Sequence, residues 1–323
     1  MSLKARIAAL PQPSRRLQLG VAIAVAATQA LIAMTGAIVR VTGSGLGCPT
    51  WPQCFPGSMV PVEHPEFETL NQWIEYGNRL FTGVVGLIAG AAFLLAWHYK
   101  PRDSRYLKLA AAMPIGVVIQ AVIGGITVRM DLLWWTVAVH LLASTVMVWL
   151  ATLLVHAVPQ EDGTQTGRRA PGPLGIWLYA QTLLLVGLLI TGTMVTGAGP
   201  HGGDPETPRL DLPVETLAHV HAAFLYTFLG SLVLLGLWLR NTKSVQPPWR
   251  RYFALLAVVL GQGTIGLVQF WTGVPEILVS LHVLGAMLVI IATASLWCGA
   301  RIRPDFPTAD PQAQMVAAGP KTA

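Results

Sequence analysis

Eight apolar segments, each about as long as a bilayer is thick, constrain this chain more than any other feature. A helix needs about 20 apolar residues to cross roughly 30 Å of hydrocarbon. Only 11% of the 323 residues are charged, against about a quarter in soluble domains, which excludes both a solvated globular surface and intrinsic disorder. The sequence therefore predicts an all-α polytopic membrane protein with eight spans: residues 20–41, 72–97, 106–129, 133–156, 174–196, 214–239, 250–271 and 275–298.

The positions of lysine and arginine predict how these spans are oriented. With the N-terminus in the cytoplasm, 17 of the 21 lysine and arginine residues fall on the cytoplasmic side, which is the bias that orients helical membrane proteins. The first span follows basic residues, as a signal peptide does, but its apolar run is longer, so we expect it to be retained. We therefore expect a plasma-membrane protein with both termini in the cytoplasm. The net charge of +6 is then explained by the basic cytoplasmic loops, and no nucleic-acid partner is expected.

The two halves of the chain resemble each other. QAVIGGITV in the third span recurs as QGTIGLVQF in the seventh, and in that register His140 matches His282. One span earlier, Asn78 matches His221. Chance similarity among apolar helices is the alternative, but the coincidence of polar residues speaks against it. Since each unit has an even number of helices, both have the same orientation, and we expect a pseudo-twofold axis along the membrane normal.

This repeat divides the chain into four parts. Residues 1–156 form an N-terminal four-helix half, which includes an outer cysteine-containing loop over 42–71. The polar segment 157–173 is predicted to be a cytoplasmic linker. Residues 174–299 form the C-terminal four-helix half, and 300–323 a flexible cytoplasmic tail.

Three histidines lie at a similar depth in the spans. His140, His221 and His282 each follow the outer end of a helix by about six to eight residues, which places them roughly 9–12 Å deep. Ionisable groups at that depth are costly and usually functional, although any single one can be a hydrogen-bonded core residue. His219 lies on another side of its helix. His221 and His282 are suited to clamp a b-type haem, with zinc as the alternative, although a structural zinc site needs four ligands.

The first half departs from this pattern. His140 is present, but the position that matches His221 holds Asn78, and Glu75 and Arg79 lie beside it on the same helix. Both of these charged residues have alanine counterparts in the second half. A structural ion pair four residues apart is one interpretation. The second interpretation is that the C-terminal half holds a cofactor and the N-terminal half is a reaction site.

The sequence resembles the haem A synthase family. The resemblance rests on TGAIVRVTGSGLGCPTWPQC from Thr35, on IEYGNRL from Ile74 and on the three deep histidines, and it covers essentially all eight helices. It implies an enzyme of cytochrome oxidase assembly that oxidises a methyl group of haem O to a formyl group. We expect successive hydroxylations, with a bound haem b as the electron relay.

The resemblance also implies residue roles. His221 and His282 would ligate the iron of haem b, and His140 that of the substrate haem, with Glu75 handling protons or steering the oxidised carbon. Arg79 would pair with Glu75 or with a haem propionate. The family has histidine where this chain has Asn78, a poor iron ligand, so we expect the substrate iron to be five-coordinate or to hold only a weak sixth ligand. Asn78 would then be a catalytic residue that donates a hydrogen bond to iron-bound oxygen, or its amide would only join two helices.

Cys48 and Cys54 lie in the outer loop, where oxidising conditions favour a disulfide. The five intervening residues include two prolines and can form the turn that a disulfide needs. The bond is either a static staple or a redox-active pair.

Two other functions are compatible with parts of this pattern. A non-enzymatic two-haem b-type electron-transfer protein would have equivalent halves, and a thiol oxidoreductase would leave the deep histidines unexplained. Expected partners are the substrate haem O and membrane lipid, with a haem O synthase and an electron donor as further candidates.

Overall fold

A computed structural model describes residues 11–100, 102–159, 172–241 and 248–299. These residues contain eight helices, all long and apolar enough to span a bilayer, so the protein is a multi-pass membrane protein as predicted. The predicted tail 300–323 and most of the predicted linker lie outside the described residues. The helices are α1 Arg15–Val41, α2 Thr69–His98, α3 Ser104–Arg129, α4 Trp134–Ala157, α5 Pro173–Ala198, α6 Val214–Asn241, α7 Trp249–Trp271 and α8 Glu276–Gly299.

The helix boundaries agree with the predicted spans to within a few residues. The largest difference is at α1, which begins at Arg15 and not at residue 20. The side chain of Ser14 accepts a hydrogen bond from the backbone nitrogen of Leu17, so this cap starts the helix before the apolar run begins. Asp103 caps α3 in the same way through the nitrogen of Tyr106, at 2.8 Å.

Three helices, α1, α4 and α8, all contact one another at the centre of the bundle. On α1 the buried surface is made mostly of alanines, among them Ala22, Ala26, Ala30 and Ala33, and such small side chains let membrane helices approach closely. In addition, α1 packs against α8 while α5 packs against α4. A twofold axis that relates α1 to α5 and α4 to α8 would make these two contacts equivalent. The contacts therefore agree with the expected axis, which stays a prediction.

Large apolar side chains cover the outside of the bundle. Leu87 on α2, Ile176 on α5 and Ile277 on α8 are 77%, 71% and 74% exposed, as expected of helices that face lipid. The connections 42–68, 130–133, 199–213 and 272–275 all lie at one end of the bundle, called the loop end here. The deep histidines follow the loop end by about two turns, so the fold brings the predicted site residues to a common level.

Candidate functional site

His221 and His282 face each other across the second half. Their ring centroids are 6.4 Å apart and their planes are inclined by 62°. The Nδ1 atom of His221 lies 3.0 Å from the carbonyl oxygen of Leu188 and 3.2 Å from the hydroxyl of Thr191. A carbonyl only accepts hydrogen bonds, so Nδ1 carries the proton and Nε2 keeps the lone pair that a metal ion needs.

The distance between the two rings and the ligand atoms nearby show whether this pair fits a haem iron. Two imidazole–metal bonds of about 2 Å each, plus the two ring radii, give a centroid separation of about 6 Å, close to the separation of the His221 and His282 rings. The Nδ1 atom of His282 is buried without a hydrogen-bond partner among the described residues. In the same part of the chain, no group of three or more His, Cys, Asp or Glu side chains is arranged to hold a metal ion. Two neutral imidazoles therefore fit a haem iron, whose other ligands come from the macrocycle, better than they fit zinc.

A glycine lies against each deep imidazole. A Cβ atom added at Gly192 would come within 3.1 Å of His221 Cε1, and one at Gly266 within 2.8 Å of His282 Cε1. In the first half, a Cβ atom added at Gly124 would lie 2.9 Å from Cε1 of His140. Because glycine has no side chain, each imidazole ring can lie directly against the backbone of the neighbouring helix.

Matching glutamines hold the helices that carry His140 and His282. Gln262 donates a hydrogen bond of 2.8 Å to the carbonyl oxygen of His282. Gln120 donates to the hydroxyl of Ser144, which in turn donates to the carbonyl oxygen of His140 at 3.0 Å. The repeated glutamine thus has the same task in both halves.

His219 is not part of either site, since it is exposed and its ring packs against that of Phe270.

In the first half, Glu75 and Arg79 form an ion pair that also holds the outer loop. Glu75 Oε2 accepts a 2.7 Å hydrogen bond from the backbone nitrogen of Cys48, and Oε1 accepts from Nε and Nη2 of Arg79. Arg79 also donates to the carbonyl oxygens of Cys48, Thr50 and Gln53. These contacts use all five N–H groups of the guanidinium. In this arrangement Arg79 pairs with Glu75 and holds the outer loop.

Cys48 and Cys54 are joined by a disulfide, which confirms that prediction. Both sulfur-bearing residues are fully buried and pack with Phe55, Phe67 and Tyr76. Thiol exchange requires that an attacking thiolate reach a sulfur atom. The burial therefore favours a structural staple over a redox-active pair.

The segment 48–54, called the disulfide loop here, is also fastened to α3. The ring of Trp51 lies directly on Gly125, where an added Cβ atom would come within 2.5 Å of the indole. Arg129 donates a 3.0 Å hydrogen bond to the carbonyl oxygen of Trp51. The Trp51–Pro52 peptide bond is cis. The loop thus spans the loop-end surface of α2 and α3.

Two further arginines at the loop end act in the same way. Arg40 on α1 donates to the carbonyl oxygen of Thr196 on α5, and Arg209 donates to that of Pro200. The four arginines outside the cytoplasmic set of 17 are Arg40, Arg79, Arg129 and Arg209, and each donates to a backbone carbonyl oxygen near the loop end.

Asn78 contacts a residue that the sequence analysis did not single out. The hydroxyl of Thr35 on α1 donates a 2.7 Å hydrogen bond to the Oδ1 atom of Asn78. A signal was present in the sequence, because the dipeptide Thr-Gly at Thr35 recurs at Thr191, the residue that contacts His221.

Residues 20–200, more than half of the chain, match the COX15-CtaA family, described as cytochrome oxidase assembly protein. The chain belongs to this family. The matched region covers the disulfide loop, Glu75, Asn78, Arg79 and His140, and it ends before His221.

Individual relatives extend the comparison. The chain is 22% identical to a haem A synthase of Bartonella bacilliformis over 328 aligned positions, which cover 82% of this chain and 87% of that protein. It is 32% identical over 136 residues to a haem A synthase of Alkalihalophilus pseudofirmus, covering 42% of this chain and 44% of the relative. A haem A synthase of Geobacillus kaustophilus is 30% identical over 34% of this chain. The chain thus spans less than half of the latter two relatives and most of the first.

Proposed function

We propose that this protein is a haem A synthase, which oxidises a methyl group of haem O to a formyl group by successive hydroxylations. The family and the names of three relatives support this assignment. The observation that carries it is the asymmetry of the two halves. One half presents a pair of facing imidazoles, whereas the other joins a buried carboxylate, an arginine and a disulfide loop.

In the second half, His221 and His282 would hold haem b through their imidazole nitrogens. Haem b bound there supplies one-electron transfer. The contacts of His221 with Leu188 and Thr191 fix the ring orientation and the tautomer, as outer partners of ligating histidines generally do. Gly192 leaves the ring its room.

In the first half, His140 would bind the iron of the substrate haem and Glu75 would transfer protons during oxidation of the methyl carbon. In each of two hydroxylations, O2 with two electrons from the external donor and two protons would put one oxygen atom into a C–H bond and release the other as water. The methyl group would become a hydroxymethyl group and then a hydrate, which loses water to give the formyl group. Glu75 is suited to proton transfer because Arg79 and the nitrogen of Cys48 hold its carboxylate in one orientation. The disulfide loop, fastened at α2 and α3, would cover this end of the half.

The proposed location is the plasma membrane, with both termini in the cytoplasm and the loop end outside. The disulfide supports this orientation, because Cys48 and Cys54 lie at the loop end and disulfides persist outside the cytoplasm. The bias in lysine and arginine supports the same orientation independently. A haem O synthase and an electron donor are the partners that the reaction would require.

A two-haem electron-transfer protein is the second candidate. It would need equivalent sites in both halves, and the cluster around Glu75 and Arg79 has only alanines as its counterpart in the second half. The asymmetry therefore favours the enzyme.

The experiment uses membranes of a host that makes haem O but no haem A, expressing the full chain. Extracted haems are separated by chromatography and identified by mass. We expect haem A and haem b with the chain, and haem O without haem A in the same host carrying an empty vector. Unchanged haem O beside two bound haem b groups would overturn the proposal in favour of electron transfer.

A further inference from the structure

The second half provides a reference for how an axial histidine is held. Thr191 places its hydroxyl 3.2 Å from Nδ1 of His221, and Leu188 places its carbonyl oxygen 3.0 Å from the same atom. The glycine that follows Thr191 lies under Cε1 of the ring. A threonine, a carbonyl oxygen and a glycine on α5 thus hold the imidazole of α6.

The first half has a threonine in the corresponding place but a different side chain against it. On α1, the hydroxyl of Thr35 shares its one hydrogen between Oδ1 of Asn78 at 2.7 Å and the carbonyl oxygen of Ile32 at 3.1 Å, so this carbonyl contacts the threonine and not the side chain of α2. Ile32 precedes Thr35 by three residues, as Leu188 precedes Thr191. Gly36 follows Thr35, but a Cβ atom added there would meet nothing within 4 Å.

The covalent structures of the two side chains explain this difference. Asparagine reproduces the Cγ atom of histidine and the two atoms bonded to it. Oδ1 of Asn78 lies against a threonine hydroxyl as Nδ1 of His221 does, but it accepts the hydrogen bond, whereas the protonated Nδ1 is a donor. The two remaining imidazole atoms have no counterpart in asparagine. They are Cε1, which would lie on Gly36, and Nε2, which would bind the iron.

We propose that Thr35, Gly36 and Asn78 form a binding seat for a ligand of one or two heavy atoms, on the side of the substrate haem opposite His140. The inference rests on the proposed function in that it takes a haem to bind at His140. The space left is at least that of the two imidazole atoms that asparagine lacks, and a Cβ atom added at Gly36 meets nothing within 4 Å, so the seat admits a neutral diatomic molecule or water. Asn78 lines the seat and supplies no iron ligand itself.

Carbon monoxide is the probe, because it binds reduced haem iron only where an axial position is open or weakly held. The purified full chain is reduced, titrated with carbon monoxide and followed by difference absorption. We expect about one carbon monoxide per protein, since a haem held by His221 and His282 has no open position. The absence of any carbon monoxide complex in a chain that carries two haems would overturn the proposal.

Two variants test the residues of the seat. Asn78→His restores the missing atoms over Gly36, so we expect a second low-spin haem and loss of carbon monoxide binding. Gly36→Val fills the room without offering a ligand, so we expect weaker carbon monoxide binding by at least tenfold while the haem in the first half remains high-spin. Gly20→Val is the matched control on α1, because a Cβ atom added there also meets nothing within 4 Å, and it should bind carbon monoxide normally. Equal binding by the Gly36 and Gly20 variants would contradict the seat.

Failure of the seat and failure of the proposed function give different results. If the chain forms haem A but binds no carbon monoxide, the proposed seat is wrong and the haem A synthase assignment stands. Carbon monoxide binding that Asn78→His abolishes, in a chain that makes no haem A, keeps the seat and removes the synthase assignment.

Discussion

The carboxylate of Glu75 accepts a 2.7 Å hydrogen bond from the backbone nitrogen of Cys48. This contact ties the start of α2 to the disulfide loop, and Arg79 reinforces it from the other carboxylate oxygen. Glu75 therefore has a structural task in addition to the proton transfer that we propose for it. Substitutions at this position have to separate the two.

Glu75→Gln comes nearest to this separation, because glutamine keeps the shape and one of the two acceptor oxygens but cannot take a proton at neutral pH. We expect the variant to fold and retain haem while haem O or its hydroxymethyl form accumulates. The loss of haem A should reach about 100-fold or more, which is the usual effect of removing a general base. Chromatography of the extracted haems measures it. Glu68→Gln, an exposed side chain just before α2, is the control, and wild-type haem A from the Glu75 variant would contradict the role.

Arg79→Lys tests the loop-holding role of the guanidinium. Lysine has three N–H groups where arginine has five, so it can keep the ion pair with Glu75 but leaves carbonyl oxygens of the disulfide loop without donors. Each lost hydrogen bond of this kind destabilises by about 1 kcal/mol. We expect the disulfide to be reduced several-fold faster by a phosphine in folded protein. Arg102→Lys, at an exposed site before α3, should leave the rate unchanged, and equal rates in both variants would argue against the role of Arg79.

The disulfide itself is expected to be structural. Alkylation of denatured protein without reductant should label Cys298 but neither Cys48 nor Cys54, and labelling of both should follow reduction. Replacing both cysteines with serine removes a covalent link worth typically about 2–4 kcal/mol, so thermal stability should fall while haem A formation continues at low temperature. Complete loss of haem A in a protein that is still folded would instead indicate a redox role.

The sequence predicted the features that depend on local pattern. Hydropathy located all eight helices, and the common depth and repeat register of the histidines selected His221 and His282, whose ring centroids lie 6.4 Å apart in the structure. The start of α1 was set too late because hydropathy does not detect the cap formed by Ser14. Contacts between distant segments were not accessible, such as those from Arg79 to the carbonyl oxygens of the outer loop, because they depend on how helices and loops pack.

The haem b assignment predicts equal effects of two substitutions. Removing either imidazole with His221→Ala or His282→Ala should abolish the low-spin bis-imidazole absorption. It should also lower the thermal stability, since a cofactor that binds only the folded state stabilises it by mass action. His219→Ala is the matched control, because this histidine lies two residues from His221 but is exposed. A normal low-spin spectrum in both ligand variants would exclude the assignment.

The glycines under the imidazoles allow a test in which site and control respond in opposite directions. A Cβ atom added at Gly266 would come within 2.8 Å of Cε1 of His282, whereas one added at Gly261 on the same helix would meet nothing within 4 Å. Alanine is favoured over glycine in a helix by up to about 1 kcal/mol, so Gly261→Ala should keep its haem and unfold at an equal or higher temperature. Gly266→Ala pushes the imidazole from its position, so we expect a shifted low-spin electron paramagnetic resonance signal and faster loss of haem to an acceptor protein. If the two variants retain haem equally well, the close packing of His282 on Gly266 is not what sets the position of the axial ligand.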